Sequence, residues 1–430
     1  MHGPYPIGGA RWWLREDADL ETARPAVLQV QAALASGSLV DRKSGRRKSL
    51  FEVQLSGSAG SEAARPPDHL LKRNAYTGLA RLRRSVSGSK ARIELLRAEQ
   101  AASRGIPTPI PLAAGEVARA GLLDHCLLLM PILEGVTDLR AHWEGHTLAA
   151  PERQELASTL GRFTRQFLEA GLFQDDFAPN NVLIRPGSPP ELWVIDFERA
   201  VLQSNVSEAD AARVLAKLQR EMSGTSRSDE MRFLRSFAAD DAVTWLQRVN
   251  AEAPRLLARD LAHLERTLRR PGRRFTPVRD AAFRGWLRKD VPLAQLTKSR
   301  DATAAPEERR DLPPLSASAA RRLFATAILL GRRGLGPKPD GVWTSRDRSC
   351  LLYAPAARTA GTPGAPASRA LLRRLLRLAE IAPPFRPEDL GLAVPLGGEA
   401  AAAWLAPERV LIRGVAASPE ALRSALEDVR

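Results

Sequence analysis

Cysteine is scarce in this chain of 430 residues, which has only Cys126 and Cys350, both in apolar stretches. Two cysteines make no disulfide framework of the kind that stabilises small secreted domains, so we expect two buried thiols. Runs of about 20 apolar residues, which a membrane-spanning helix needs, are also missing. The first residues, MHGPYPIGGARWWLRED, contain no basic segment followed by an apolar one, so we expect no signal peptide. These absences favour a cytoplasmic protein.

Acidic residues are few relative to basic ones, with 49 Asp and Glu against 64 Lys and Arg and a net charge of +15. A basic protein attracts anionic partners such as phosphates, nucleic acid or an acidic membrane surface. Basic and aromatic residues are not interleaved and no zinc-ligand spacing occurs, so we expect no nucleic-acid partner. Most of the excess is arginine, which we interpret in part as genome composition, so the charge alone identifies no partner.

The order of predicted elements is informative. The sequence predicts a helix at 17–36, two short strands within 38–60, a strand at 68–76, a helix that ends at Gly105, a buried strand that ends at Pro131, a helix at 151–170 and two strands at 181–196. Apolar periodicity, turn residues and helix terminators support these assignments. A small sheet-rich part is therefore followed by a mostly helical part.

Two acidic stretches, DDFAPNN and LWVIDFERA, contain the residues that suggest chemistry. Asp176 and Asn181 have the Asp-x-x-x-x-Asn spacing of a kinase catalytic loop, and Asp196 stands at the Asp-Phe-Gly position. In that arrangement Asp176 accepts or orients the proton of the substrate hydroxyl. Asn181 and Asp196 would hold Mg²⁺, which prefers hard oxygen ligands. Asp175 lies outside the spacing and is interpreted as a neighbour of the catalytic set.

Upstream of these stretches, Lys72 lies on a predicted strand, and the next helix offers Glu94 or, as the alternative, Glu99. A kinase lysine grips the nucleotide phosphates, and a helix glutamate holds that lysine in place. The stretch RKSGRRKS at 42–49 stands where a phosphate-covering loop is expected, but it has one glycine. Its basic residues, Arg46 among them, either compensate electrostatically or form a solvated turn. Each residue alone is commonplace, whereas the joint occurrence in kinase order favours a kinase fold.

The stretches FQDDFAPNNVLIR, LWVIDFERA and RIELLRAEQAASRGIPTP resemble the lipopolysaccharide kinase family, the Kdo and heptose kinases, over roughly residues 40–240. The resemblance implies an α+β fold of the bilobal protein-kinase-like type, with a small β-rich N-lobe and a helical C-lobe. It implies ATP and Mg²⁺ as cofactors. It also implies a hinge whose backbone binds adenine, at Pro131, Ile132 and Leu133.

Two departures from the family pattern stand next to the catalytic motifs. Gln174 occupies the position, two residues before the catalytic Asp, where the family usually has a mainly structural histidine. Glu198 follows Asp-Phe in place of glycine. The first departure puts full activity in question, and the second is tolerated in kinases of the small-molecule type.

The C-terminal part repeats short stretches of the first part in the same order. SCLLYAPA echoes HCLLLMPI, which brings Cys350 opposite Cys126, and WLAPERVLI echoes WVIDFERAVL. No pair of Mg²⁺ ligands survives in these echoes. We therefore expect a degenerate kinase-like (pseudokinase) module, with an unrelated accessory α-rich domain as the alternative. The expected divisions are an N-terminal helical extension at 1–36, an N-lobe at 37–134, a C-lobe at 135–250 and this module at 251–430.

These observations predict an ATP- and Mg²⁺-dependent kinase that phosphorylates a sugar hydroxyl of a lipopolysaccharide-type glycolipid. The basic excess suits an anionic acceptor and peripheral contact with an anionic membrane surface at the cytoplasmic face. Alternatives are a kinase of a small molecule or of protein Ser/Thr, or a non-catalytic tandem pseudokinase scaffold.

Overall fold

A computed structural model describes most of the chain. The described residues are 1–43, 48–55, 68–145, 148–222, 225–270, 272, 274–279, 283–294, 309–312, 314–332 and 339–353, together with short strands at 358–359, 381–382, 390–394, 402–405 and 411–412. The chain forms two compact units: unit 1 comprises Met1–Val214 and Ser228–Val243, and unit 2 comprises Leu215–Arg227 and Thr244–Arg430.

Unit 1 begins with a seven-stranded antiparallel sheet of the order β1-β2-β6-β7-β5-β4-β3. Its strands are β1 (His2–Ile7), β2 (Ala10–Leu14), β3 (Val40–Lys43), β4 (Lys48–Val53), β5 (His69–Ala75), β6 (Ala113–Arg119) and β7 (Leu122–Pro131). The accompanying helices are α1 (Leu20–Ser36), α2 (Leu79–Ser87) and α3 (Lys90–Ser103). Successive β7 residues serve opposite faces, as strand geometry requires: Leu127 and Leu129 join one core cluster, and Cys126 and Leu128 join the other.

The N-terminal segment differs from the predicted helical extension. Helix α1 does form, but residues 2–14 before it form β1 and β2, and β2 pairs with β6. The pattern of these strands was hidden by Pro4, Pro6 and a glycine pair, which normally indicate a turn. Burial of Trp12 and Leu14 in the core explains why the segment nevertheless joins the sheet.

The second half of unit 1 is largely helical. Its elements are β8 (Thr137–Asp138), α4 (Leu139–Gly145), α5 (Ala150–Glu169), β9 (Leu172–Gln174), β10 (Val182–Arg185), β11 (Glu191–Val194), β12 (Ala200–Leu202), α6 (Glu208–Glu221) and α7 (Arg227–Ala238), with α6 continuing into unit 2. Gly161 lets α5 approach α7 closely, because a Cβ there would lie 2.3 Å from the Phe233 carbonyl oxygen. The predicted order of a β-rich part and then a helical part is confirmed.

Unit 2 contains a second antiparallel sheet, of the order β13-β14-β16-β17-β15. Its elements are α8 (Ala242–Leu268), β13 (Phe275–Arg279), β14 (Phe283–Arg288), β15 (Arg309–Leu312), α9 (Ala317–Arg332), β16 (Pro339–Ser345), β17 (Ser349–Tyr353), β18 (Arg358–Thr359), β19 (Ile381–Ala382), β20 (Leu390–Val394), β21 (Ala402–Leu405) and β22 (Leu411–Ile412). Leucines of α8 and the apolar face of α9 pack with Trp286 and Val342 of the sheet. This part holds more strands than an α-rich accessory domain would.

Two predictions about the whole chain can be compared with the described residues. Cys126 and Cys350 are both buried, which confirms the expectation of two buried thiols. None of the helices in the described part is long and apolar enough to cross a membrane.

Candidate active site

A buried lysine connects two carboxylates at the centre of unit 1. The Lys72 Nζ atom on β5 lies 2.9 and 2.6 Å from the two Glu94 carboxylate oxygens on α3, and 2.9 Å from Asp196 Oδ1. Lys72 is 4% exposed and Glu94 3% exposed. Glu99, the alternative partner, accepts a hydrogen bond from the Glu16 amide instead. The predicted Lys72–Glu94 pair is therefore present, and Asp196 joins it.

Lys72 and Asp196 each favour the charged form of the other. Burial disfavours the charged form of Lys72, but the carboxylates of Glu94 and Asp196 outweigh burial and raise the pKa of Lys72. Burial likewise opposes ionisation of Asp196, but Lys72 and Lys48 hold the pKa of Asp196 below its ordinary value. At neutral pH, Lys72 is therefore an ammonium and Asp196 a carboxylate.

The Asp196 backbone is held in an uncommon conformation. Its φ and ψ angles are 64° and 57°, in the left-handed region, which Asp tolerates better than most residues. The fully buried Gln174 donates a hydrogen bond from Nε2 to the Asp196 carbonyl oxygen at 3.1 Å. Gln174, which stands where a histidine was expected, thus supports the backbone of the carboxylate residue. Its role here is structural.

Helix α3 is fastened to the Asp-Phe-Glu segment by residues besides Glu94. Lys90 forms an ion pair with Glu198. Arg97 donates from Nη1 to the carbonyl oxygens of Phe197 at 3.3 Å and Glu198 at 2.7 Å. The departure from glycine at position 198 therefore has a local reason, because the glutamate side chain binds the helix.

The predicted catalytic loop lies between β9 and β10. The Asn181 side chain donates to the Asp176 carbonyl oxygen at 2.9 Å, and the Asn181 carbonyl accepts from the Ile195 amide at 2.9 Å. These bonds place the loop beside the residue that precedes Asp196. The Asp176 Oδ1 atom is buried and accepts no hydrogen bond from the residues that the structure describes. Its Oδ2 atom lies 3.9 Å from Arg199.

The basic turn between β3 and β4 is described only at its ends. Lys48 Nζ, at the start of β4, lies 3.5 Å from Asp196 Oδ2, so this residue faces the site. Arg46, predicted to bind the cofactor, lies outside the described residues. For Lys48, the electrostatic interpretation of the turn is therefore favoured over a solvated one.

The predicted hinge follows the end of β7. Pro131 is the last residue of the strand and pairs with His69, and Ile132 donates its amide to the Asp68 carbonyl oxygen at 2.8 Å. Proline has no amide hydrogen. Of the three predicted hinge residues, Leu133 is thus the candidate for an amide donor to adenine.

The donor set around Asp196 fits Mg²⁺. Within the described ranges, no group of three or more His, Cys, Asp or Glu side chains is arranged to hold a metal. One carboxylate, from Asp196, and one amide, from Asn181, nevertheless suit an ion that takes few protein ligands when phosphates supply the rest.

The sequence interpretation missed Lys90 and Arg97, which bind the Asp-Phe-Glu segment. The signal was present, because residues 90, 94 and 97 have the i, i+4, i+7 spacing of one helix face. A charged helix face of this kind is usually solvated. The partners of Lys90 and Arg97 are Phe197 and Glu198, which lie 100 or more residues away in the sequence.

Comparison with known proteins extends these findings. Residues 31–237 match the model of the lipopolysaccharide kinase (Kdo/WaaP) family. None of the curated proteins matches the chain. A solved structure of WaaP in complex with acyl carrier protein is 18% identical, covers 55% of this chain and 97% of its own, and has a TM-score of 0.38. The bifunctional kinase-methyltransferase WbdD is 19% identical, covers 40% of this chain and 34% of its own, and has a TM-score of 0.28.

These TM-scores are too low to support an argument, so the assignment rests on the family model. The resemblance predicted from the catalytic motifs and the prediction of a phosphotransferase are both confirmed by it. The match to the lipopolysaccharide kinase (Kdo/WaaP) family therefore extends over residues 31–237, which include Lys72 and Asp196.

Proposed function

We propose that the protein is an ATP- and Mg²⁺-dependent kinase that phosphorylates a sugar hydroxyl of a lipopolysaccharide-type glycolipid. The observation that carries the proposal is the buried Lys72–Glu94 pair with Asp196 as a third member, at 2.6–2.9 Å. Burying such a group is costly unless it is fully paired. Binding of a nucleotide phosphate by Lys72 is the function that best accounts for this buried ionic group.

The catalytic roles follow from the positions of the loop residues. Asp176 accepts the proton of the acceptor hydroxyl, and its Oδ1 atom, without a hydrogen-bond partner in the described part of the chain, is available for that proton. Lys72 neutralises charge on the nucleotide phosphates, and Glu94 keeps its ammonium in place. Lys48 adds a second cation beside Asp196.

Asn181 and Asp196 would hold Mg²⁺, which supplies charge neutralisation on the transferred phosphoryl group when bound. The hydrogen bond from Asn181 Nδ2 to the Asp176 carbonyl leaves the Asn181 side-chain oxygen as the metal donor. Gln174 holds the Asp196 backbone through its hydrogen bond to the Asp196 carbonyl oxygen. In this role it replaces the usual histidine, and we expect it to be compatible with turnover.

The test is mass spectrometry of lipid A-core glycolipids incubated with the full-length chain, Mg²⁺ and ATP. We expect one added phosphate, absent with Asp176→Asn and retained with the neighbouring change Asp175→Asn. A Mg²⁺·ATP-dependent rise in melting temperature is measured in parallel. No rise would contradict the kinase proposal itself. A rise with unmodified glycolipid would move the acceptor to a small molecule or a protein Ser/Thr.

For residues 251–430 we propose a degenerate kinase-like module without catalytic function. The proposal is supported by its sheet, which is compared with that of unit 1 below, and by helix α9, whose sequence ASAARRLFATAILLGR contains no acid. The echoes beyond residue 353 fall on short strands or outside the described residues. The alternative of a wholly non-catalytic scaffold would require that unit 1 transfer no phosphate, whether or not it binds Mg²⁺·ATP.

A further inference from the structure

Helix α2 directs its apolar residues to solvent. Leu79, Leu82 and Val86 are 85%, 54% and 85% exposed, and the helix has no buried residue. Their spacing of i, i+3 and i+7 puts them on one helix face. Isolated exposed apolar residues are normal, but three of the nine large ones exposed in the described part lie on this nine-residue helix. The three residues are called the α2 stripe below.

The opposite face of the helix is held by polar contacts. Arg81 donates from Nη2 to the Arg119 carbonyl oxygen at 2.7 Å and lies 3.7 Å from Asp124. Ser85, one turn later, accepts from the Leu123 amide at 2.8 Å. These contacts attach α2 to the β6–β7 turn through its polar residues. The outward direction of the α2 stripe is therefore fixed by the fold.

The charged residues of helix α2 are all basic. The helix sequence LARLRRSVS contains three arginines and no acid. Exposed Arg83 flanks the stripe, four residues after Leu79 and three before Val86, and exposed Arg119 lies in the adjoining turn. Apolar side chains next to arginines, on a helix parallel to the surface, are the pattern with which proteins bind anionic bilayers.

We propose that helix α2 docks this protein on an anionic phospholipid surface. The side chains of the α2 stripe enter the boundary between headgroups and acyl chains, and Arg83 pairs with lipid phosphates. Arg81 and Ser85 act inside the protein and keep the stripe facing the lipid. The docking itself is independent of catalysis, although its purpose, access to a glycolipid acceptor, rests on the proposed function.

The first test is sedimentation of the full-length protein with vesicles of phosphatidylcholine mixed with phosphatidylglycerol, against vesicles of phosphatidylcholine alone. We expect binding to the mixed vesicles and about tenfold weaker binding after the double change Leu79→Gln and Val86→Gln. Arg83→Gln should weaken binding about fivefold. The matched control is Val243→Gln, at a residue 60% exposed on α8, which should bind like the unchanged protein.

A second test reports insertion directly. Because Cys126 and Cys350 are buried, a cysteine introduced as Val86→Cys can be labelled selectively with an environment-sensitive dye. We expect its emission to rise and shift to the blue with mixed vesicles, and a label introduced as Val243→Cys to stay unchanged. An unchanged label at position 86, or equal vesicle binding by the Leu79/Val86 double variant, overturns the proposal and points to a protein partner.

The two proposals fail in different ways. Phosphorylation of detergent-dispersed glycolipid together with absent vesicle binding would remove the docking surface and keep the kinase. Vesicle binding that depends on the α2 stripe, together with no Mg²⁺·ATP-dependent stabilisation, would keep the docking surface and remove the kinase.

Discussion

The sheets of unit 1 and unit 2 are paired alike for five strands, but among the described residues only the unit 1 sheet carries a lysine that pairs with a helix glutamate. In unit 1 the order β1-β2-β6-β7-β5 continues with β4 and β3, and in unit 2 the order is β13-β14-β16-β17-β15. All these neighbours are antiparallel, and in both units a helix precedes the third strand of the order. Within the described residues, unit 2 has no counterpart of the β3–β4 hairpin that carries Lys48.

The hairpins that begin the two sheets also share sequence. Residues 11–17, RWWLRED, and residues 284–290, RGWLRKD, are identical at five of seven positions. The cross-strand pairs that start at the shared tryptophan can be followed through each sheet. In unit 1 they are Trp13–Ala114–Leu128–Lys72. In unit 2 they are Trp286–Val342–Leu351–Arg310. Arg310 thus holds the register position of Lys72, and the sequence of α9 contains no acid.

A cross-strand pair is exchanged between the sheets. In unit 1, Trp12 on β2 faces Gly115 on β6, and in unit 2, Gly285 on β14 faces Trp343 on β16. Both tryptophans are completely buried. One large and one minimal residue fill the space in either arrangement, so the sheet keeps its packing while the sequence changes. The comparison supports the proposal that unit 2 is a degenerate copy whose sheet is packed in a similar way.

The largest expected effect tests whether all chemistry belongs to unit 1. Asp176→Asn should leave Mg²⁺·ATP binding intact and lower kcat by about 10²–10⁴-fold, the usual contribution of a general base. Asp175→Asn, beside it on the same loop, should change kcat little. Steady-state phosphorylation of the glycolipid measures both. Turnover that persists in Asp176→Asn would mean that the base assignment is wrong or that unit 2 contributes.

The exchanged Trp–Gly pair allows a test of whether the two sheets are structurally equivalent. Trp12→Gly should cost about 3–5 kcal/mol in the free energy of unfolding, because it leaves a cavity in the core. Gly115→Trp alone should also be severe, because a Cβ at 115 would lie 2.9 Å from the Trp12 ring. The double variant reproduces the arrangement of unit 2 and should be more stable than either single variant.

Urea unfolding of the four proteins measures the coupling between the two positions. Contacting residues typically couple by about 0.5–3 kcal/mol. Costs that simply add would contradict the equivalence of the two cross-strand pairs.

The candidate site residues could be predicted from the sequence because spacing and order are local signals. Asp176, Asn181, Asp196, Lys72 and Glu94 were all named from such patterns. The hairpin β1–β2 was missed because Pro and Gly masked its periodicity. The sequence similarity between SCLLYAPA and HCLLLMPI aligned Cys350 with Cys126. The strand register instead aligns Cys350 with Leu127, a difference of one residue. The pairing of β2 with β6 joins segments about 100 residues apart, which no local pattern reports.

The next test replaces the Lys72–Glu94 ion pair of unit 1 by apolar residues. Lys72→Met should cost about 3–5 kcal/mol, because Glu94 then remains buried without its cation. Adding Glu94→Leu should recover most of that loss, since apolar residues can replace a buried ion pair. Leucine is chosen because it stands at the corresponding position of α9. Leu323 follows Arg321 by two residues, just as Glu94 follows Arg92 on α3, and both arginines lie over the shared tryptophan.

Neither variant should show a Mg²⁺·ATP-dependent rise in melting temperature, whereas the unchanged protein should. Urea unfolding and thermal melting supply the two measurements. A double variant no more stable than Lys72→Met would show that unit 1 cannot accept the apolar arrangement of unit 2.

The pH dependence of stability gives a smaller effect. The pKa of Asp196 is lowered in the folded protein, so its contribution is present above the unfolded value of about 3.9 and is lost as the pH falls through the lower folded value. The stability difference between the unchanged protein and Asp196→Asn should therefore be constant near neutral pH and shrink below about pH 4.

The matched control for this pH effect is Asp290→Asn in unit 2. The Arg288 side chain also lowers the pKa of Asp290, but solvent screens this exposed pair, so the acid-range difference should be much smaller. Urea unfolding at a series of pH values measures both differences. Equal curves for the two positions would contradict the special environment of Asp196.

The smallest effect concerns a contact that both sheets retain. Arg92 lies over the Trp13 ring at 4.8 Å, and Arg321 lies over the Trp286 ring at 5.7 Å. Arg92→Ala and Arg321→Ala should each cost about 0.5–2 kcal/mol, and neither should abolish Mg²⁺·ATP binding. Double-mutant cycles with Trp13→Leu and Trp286→Leu measure the two couplings. Similar couplings would mean that this helix–strand contact belongs to the shared scaffold, whereas coupling in unit 1 alone would tie it to the nucleotide site.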